Sequence, residues 1–260
     1  MNTNILLSVD DVSMHFGGLR ALDGVTLEVK PQQVVGLIGP NGSGKSTLIN
    51  VLSRIYEPSG GMVRLAGRDM AGIPVNEVSG LGVTRTFQNV RLFPTMTVRD
   101  NLRMGTSSAT HSGFLSTGLK LPSVRREEAH VHAQVEEIAR LLDLEAQLDR
   151  VAGDLPYGLQ KLTELGRALI SNPKLILLDE PVAGMNPSEK RALVAALKRV
   201  RAARPVAFLI VEHDMVFVMS LCEYLYVLNF GKLIAQGLPE EVRSDPGVIE
   251  AYLGGGHVTH

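Results

Sequence analysis

The sequence predicts an α/β fold: a mainly parallel sheet with helices on both faces, an N-terminal antiparallel β segment and an inserted helical block. Three observations carry this. "KLILLDE" and "PVAFLIVEHD" are continuous apolar runs that end in acids, as strands covered on both faces read. The stretch between them, "NPSEKRALVAALKRVRAAR", carries helix signals, so strand–helix–strand implies a parallel pair with a right-handed crossover. The first 70 residues instead alternate apolar and polar positions in "LLSVDDVSMHF", "VTLEVK" and "GMVRLAGRD". Gly- and Asp-containing turns separate these short strands.

Each later element follows from its own pattern. "VVGLI" is a short apolar strand that breaks into "GPNGSGKST" and then into the helical "KSTLINVLSRI". Val131, Val135, Ile138 and Leu142 share a face at helical spacing, and so do Leu159, Leu162, Leu165 and Leu169. Residues 105–123 are rich in Ser, Thr and Gly, a composition that buries little surface to offset ordering, so mobility is expected there. Asn186 is placed to cap the next helix, with Pro187 at its first position and Glu189 closing a capping box. The tail "GGGHVTH" is expected to be disordered. The organisation expected is one domain over 1–260, with an α/β core of 1–89 and 166–260 and a helical subdomain of 90–165 inserted in it.

Composition narrows the function. The 260 residues are 45% hydrophobic with a formal net charge of −1, enough for a core and without the basic excess that nucleic-acid partners require. The single cysteine, Cys222, permits no internal disulfide and fits a reducing compartment. The N-terminus lacks a basic segment followed by an apolar run, and no apolar run approaches the ~20 residues that cross a bilayer. A cytoplasmic protein is expected, one that can still dock peripherally on a membrane protein.

Gly39, Gly44, Lys45 and Ser46 match G-x-x-x-x-G-K-[ST], in the strand–loop–helix setting that the motif requires. Backbone N–H groups of such a loop turn towards phosphate oxygens, and the helix N-terminus adds partial positive charge. Lys45 is expected to reach the terminal phosphates and the Ser46 hydroxyl to ligate Mg²⁺. The remaining loop residues Asn41, Gly42, Ser43 and Thr47 line the same nucleotide site. Asp179 and Glu180 stand at one apolar strand end and His213 at another. Ligands of open parallel sheets bind at that edge, so these groups should meet the loop. Asp179 would hold Mg²⁺, Glu180 would polarise an attacking water, and His213 would hydrogen-bond the γ-phosphate. A solvated turn, for the acids, and a structural histidine are the plainer readings.

Taken together, the chain resembles the ATP-binding subunits of ABC transporters. The matching pieces come in order: Phe16 ahead of the loop, "GPNGSGKST", Gln88 in "RTFQNVRLF", "LPYGLQKLTELGRAL", "LLDEPVAGMNP" and "LIVEHDM". Within that family it is most similar to the ATPase of branched-chain amino acid importers, through "FGGLRALDGVTLEV", "RTFQNVRLFPTMTVRDNL" and "GKLIAQGLPEEVRSDPGVIEAYLG". The resemblance implies ATP and Mg²⁺ as cofactors, and a second ATPase subunit, identical or homologous, as partner. It further implies separate permease subunits, a substrate-binding protein acting indirectly, and a place on the cytoplasmic face of the membrane. It gives Phe16 the adenine-stacking role, against simple packing beneath a turn. It makes Gln88 a sensor of Mg²⁺ and water, with a following loop that faces the permease. "LPYGLQK" becomes the signature that clamps ATP on the opposite subunit, through Pro156, Tyr157 and Gly158. Asn186 has two readings, the family's usual aspartate role or the helix cap alone.

The signature departs from the family's usual L-S-G-G-Q. Pro156 stands at the serine position, Tyr157 replaces a glycine and Leu159 the glutamine. One lost hydrogen bond costs on the order of 1–3 kcal/mol, so a weakened site is expected rather than an abolished one. Rival readings are an ABC importer ATPase for another small polar solute, a soluble ABC ATPase acting on DNA or ribosomes, a non-hydrolysing interaction module, and a small-molecule kinase. The first two differ from the main reading in cargo or coupling; the last two leave Glu180, His213 or the signature without a role.

Overall fold

The computed structural model describes residues 5–106 and 122–254. Residues 107–121 of the Ser/Gly-rich insertion and 255–260 of the tail, and with them the expectations of mobility and disorder there, lie outside the described residues. Contacts cluster the chain into two compact units: one runs through Gln88 and adds Lys174–Gly184 and the chain from Pro205 on, the other comprises Asn89–Pro173 and Met185–Arg204.

The first unit holds both sheets. The alternating N-terminal segments form β1 (Leu7–Phe16), β2 (Leu19–Val29), β4 (Gly60–Leu65) and β5 (Arg68–Asp69), a sheet of order β2-β1-β4-β5 with antiparallel neighbours throughout. Its inward positions Leu7, Val9, Leu27, Val29, Val63 and Leu65 are buried, which is what the period-2 alternation required.

The second sheet has the order β10-β9-β3-β8-β7-β6. Its members are β3 (Val34–Ile38), β6 (Val83–Thr86), β7 (Leu175–Asp179), β8 (Ala207–Val211), β9 (Tyr224–Asn229) and β10 (Lys232–Gly237). All neighbours run parallel except β9 and β10, which form a hairpin. Every residue of β3, β7 and β8 is buried, so the continuous apolar runs read correctly as central strands. β6, β9 and β10 extend the sheet beyond the strands that were legible in the sequence. Helix α1 (Lys45–Leu52) follows β3, and α6 (Met215–Leu221), α7 (Pro239–Ser244) and α8 (Pro246–Gly254) complete this unit.

Register places the site. Within the parallel block, Leu37 pairs with Val211, and Val211 pairs with Asp179. The carboxyl ends of β3, β8 and β7 therefore stand side by side, and the residues that follow them share one edge.

The second unit is helical: α2 (Val98–Met104), α3 (Pro122–Leu142), α4 (Tyr157–Leu169) and α5 (Pro187–Ala203). Val135, Ile138 and Leu142 of α3 and Leu162, Leu165 and Leu169 of α4 are buried, as their spacing required; Val131 and Leu159, at the ends of those stripes, are only partly so. At the start of α5 the Asn186 side chain accepts from the backbone N–H groups of Ser188 and Glu189, and Glu189 accepts from that of Asn186. This is the capping box read from the sequence. Such a cap stabilises a helix by about 1 kcal/mol.

Candidate active site at the sheet edge

The phosphate loop is shaped by backbone that only glycine tolerates. Gly39 (φ 149°) sits so close to the β9–β10 hairpin that a Cβ would lie 2.0 Å from the Leu228 carbonyl oxygen. Gly44 (φ 106°) caps α1, and a Cβ there would lie 2.6 Å from the Ala21 carbonyl oxygen. The Gly231 N–H donates to the Ser43 carbonyl at 2.9 Å, which ties the hairpin to the loop. Residues that are far apart in sequence thus hold the loop open for a ligand.

The Lys45 ammonium stands inside the loop, donating to the carbonyls of Gly39 (2.7 Å) and Pro40 (2.8 Å) and to Ser43 Oγ (3.4 Å). Burial lowers its pKa, against the opposing pull of the Glu180 and Asp179 charges. Its position next to those acids is the convergence expected from the strand ends.

A cavity of about 400 Å³ is lined by Asn41–Thr47, Phe16, Glu180 and Phe230. Phe16 is 42% exposed on this wall, and its ring meets Tyr56 edge-on, centroids 5.3 Å apart. It therefore packs on a neighbour and lines the cavity at once. His213 lies elsewhere: it lines an adjoining cavity of about 910 Å³, which borders the loop along Gly39–Ser43. Glu180 and His213 thus approach the loop along different stretches.

Gln88 Nε2 donates to Glu180 Oε2 at 2.8 Å, joining two residues that sequence motifs could name but not connect. Glu180 has φ 46°, a left-handed conformation uncommon for a residue with a side chain; it turns the chain at the end of β7. Asp179 is held by Arg85 of β6, Nη2 to Oδ2 at 2.8 Å, with both side chains 12% exposed. Sequence reasoning missed Arg85, because "GVTRTF" shows no strong periodic signal. It also missed Glu212, which is 1% exposed. Its carboxylate accepts from the N–H groups of Val182, His213 and Asp214, and so holds together the turns that follow β7 and β8. An acid one residue before a strand-end histidine was the available signal.

The signature residues belong to the helical unit. Pro156 precedes α4 in extended conformation, and Tyr157 and Gly158 open the helix. The Gly158 N–H donates to Glu189 Oε1 at 3.2 Å, while Glu189 Oε2 serves the capping box at 2.9 Å. A Cβ at 158 would lie 2.7 Å from Glu189 Cγ. A side chain at 158 therefore disturbs Glu189 before it reaches any phosphate. Tyr157 has its phenol pKa raised, first by burial and then by the charges of Glu164 and Glu189. The Asn186 Oδ1 is engaged by the helix cap.

Hard oxygen donors suit Mg²⁺, which at nucleotide sites takes one or two protein ligands beside phosphates and waters. Ser46, Asp179 and Gln88 offer such donors, and Asp179 keeps its second oxygen clear of the Arg85 contact. The residues fit the ion.

Residues 22–183 match the family model described as ABC transporter, and residues 232–258 match that of the branched-chain amino acid ATP-binding cassette transporter. The chain is 41% identical over 249 residues to the high-affinity branched-chain amino acid transport ATP-binding protein BraF of Pseudomonas aeruginosa, covering 96% of this chain and 98% of that one. The LivG protein of Escherichia coli, of the same description, is 41% identical over the same shares. A crystal structure of an ATP-binding cassette of an ABC transporter in its ADP conformation superposes with a TM-score of 0.83 at 36% identity, over 96% of this chain and 99% of that one. A loop built for phosphates, acids at the adjoining strand ends and likeness along nearly the whole length lead to one conclusion: the chain belongs to the ABC transporter family, as one of its ATP-binding and ATP-hydrolysing subunits.

Proposed function

We propose that this subunit powers the uptake of branched-chain or related amino acids through separate permease subunits. The observation that carries the cargo class is the likeness of the whole chain to relatives so described, which extends to its C-terminal segment. Among the described residues no helix is long and apolar enough to cross a membrane, so the passage itself is assigned to partners. The subunit works on the cytoplasmic face, and a substrate-binding protein delivers the solute to the permease from the other side.

Two subunits, identical or homologous, sandwich two ATP molecules. The backbone N–H groups of residues 41–47 and the Lys45 ammonium bind the triphosphate, and Phe16 stacks on adenine. Ser46, Asp179 and Gln88 hold Mg²⁺, which supplies charge neutralisation at the phosphates when bound. Glu180 orients the water and takes its proton, with Gln88 fixing the carboxylate from one side. His213 donates to the γ-phosphate. Pro156, Tyr157 and Gly158 of the opposite subunit close the sandwich. The chain acts as one cassette, in which the inserted helical block of 90–165 meets the partner and the permease. Chemistry of this kind rests on positioning and charge stabilisation, with no covalent intermediate.

The test is reconstitution with permease subunits and a binding protein of the branched-chain amino acid type, followed by uptake of labelled leucine in vesicles loaded with ATP. Leucine uptake that needs ATP supports the proposal. Uptake of an unrelated solute only would replace the cargo class. Glu180→Gln should cut turnover roughly a thousandfold, the scale of a general base, while ATP still binds. Near-parent turnover would move the base role to another residue.

A further inference from the structure

Arg85 reaches two elements at once. Its Nη2 holds Asp179 at the end of β7, and its Nη1 donates to Asn50 Oδ1 (2.7 Å) and Ser53 Oγ (3.0 Å) on and just beyond α1. The guanidinium lies 5.2 Å from the centroid of the Phe87 ring, the residue before Gln88. Helix α1 begins at the phosphate loop and carries Ser46. The three proposed metal donors, Ser46, Asp179 and Gln88, thus sit on three elements that this one side chain joins. Arg85 Nε is buried and makes no hydrogen bond. A fold optimised for stability alone would satisfy that donor or replace the cation with an apolar side chain.

We infer that Arg85 is a positioning residue for the metal site, fixing the Asp179 carboxylate against the C-terminal end of α1 and so holding that helix, which carries Ser46 in its first turn, in the placement that Mg²⁺ coordination demands. This rests on the reading of Asp179 as a metal donor. The planar fork explains why arginine and not lysine stands here: one guanidinium serves a carboxylate and two neutral oxygens in fixed geometry. Mg²⁺ tolerates little deviation from octahedral coordination, so a donor pair that drifts loses affinity for the ion more than for the nucleotide.

The experiment measures ATP affinity of the full chain, with Mg²⁺ and with a chelator, and takes the ratio as the gain from the metal. Arg85→Met should reduce that gain roughly tenfold or more, as loss of an outer-shell partner does. Metal-free ATP affinity should stay within about twofold, because the phosphate loop is untouched. Arg85→Lys keeps the cation near Asp179 without the fork and should recover part of the gain; it also serves if the Met variant folds poorly. A full gain in Arg85→Met overturns the inference. So does a parallel loss of metal-free affinity, which marks a structural role, or a Lys variant no better than Met. Asp179→Asn separates the premise from the inference. If the gain survives Asp179→Asn, the metal-donor reading itself is wrong. If Asp179→Asn abolishes the gain and Arg85→Met leaves it, only the role of Arg85 falls.

Discussion

At the phosphate loop, α1 begins beside a cation; at the signature, α4 begins beside a carboxylate. Both sites offer a helix N-terminus with a glycine in or next to its first turn, and partial positive charge from N–H groups that have no partner within the helix. In the first, the Lys45 ammonium adds a full charge from within the loop. In the second, Glu189 accepts from the Gly158 N–H, and a carboxylate beside the glycine opposes an anion. Lys161, on the same helix, is 4% exposed and paired with Glu164 at 3.7 Å. In the proposed sandwich the loop with Lys45 would then carry the phosphate charge and the signature would serve only as a lid. Such a lid, with a carboxylate behind its glycine, would gain from phosphate only where a partner subunit brings the cation and the metal.

The comparison breaks most visibly at Gly39. In Gly39→Ala the new methyl must displace the Leu228 carbonyl oxygen, 2.0 Å away. Backbone strain of this kind is expected to destabilise by on the order of 3 kcal/mol, lowering the Tm by about 10 °C. Thermal unfolding checks it, and an unchanged Tm would show that the hairpin yields easily. Next comes Lys45→Ala, which removes the only side-chain cation of the loop and should weaken ATP binding by the isolated subunit roughly 100-fold. An affinity within twofold of the parent would put the phosphates elsewhere. The smallest effect sharpens the contrast. Glu189→Gln keeps the side-chain length and removes the charge beside Gly158; its single acceptor oxygen can serve the capping N–H of Asn186 but then no longer that of Gly158. The assembled transporter should then need about threefold less ATP for half-maximal turnover, as expected of one partly screened charge. The isolated subunit's own affinity should not move. A shift in the isolated subunit instead would place the effect of Glu189 within its own chain.

What could be read in advance divides along the same line. The loop motif, the acids at strand ends and the Asn186–Glu189 cap are encoded by neighbours within a few residues, because each fixes a local backbone conformation or a short hydrogen bond. Their chemistry needed only the rule that parallel strand ends share an edge. The signature glycine was legible as a motif, but its contact was not: Glu189 lies 31 residues away and doubles as a capping residue. Substitution at Gly158 accordingly tests packing as well as phosphate approach, and the charge at 189 is the cleaner probe.

By itself the sequence determined the phosphate-loop motif after a buried strand, the strand ends that carry Asp179, Glu180 and His213, and where α5 begins. These follow from spacing, since glycines, caps and apolar runs act over one turn of chain. Only the tertiary structure decided the strand order that sets β8 between β3 and β7, the hairpin that makes Gly39 obligatory, the bond from Gln88 to Glu180, and the reach of Arg85 across 94 residues to Asp179. Those contacts depend on how crossovers place distant segments. A buried carboxylate or guanidinium takes whichever partner that placement brings within hydrogen-bonding distance, and nothing in the local spacing names it.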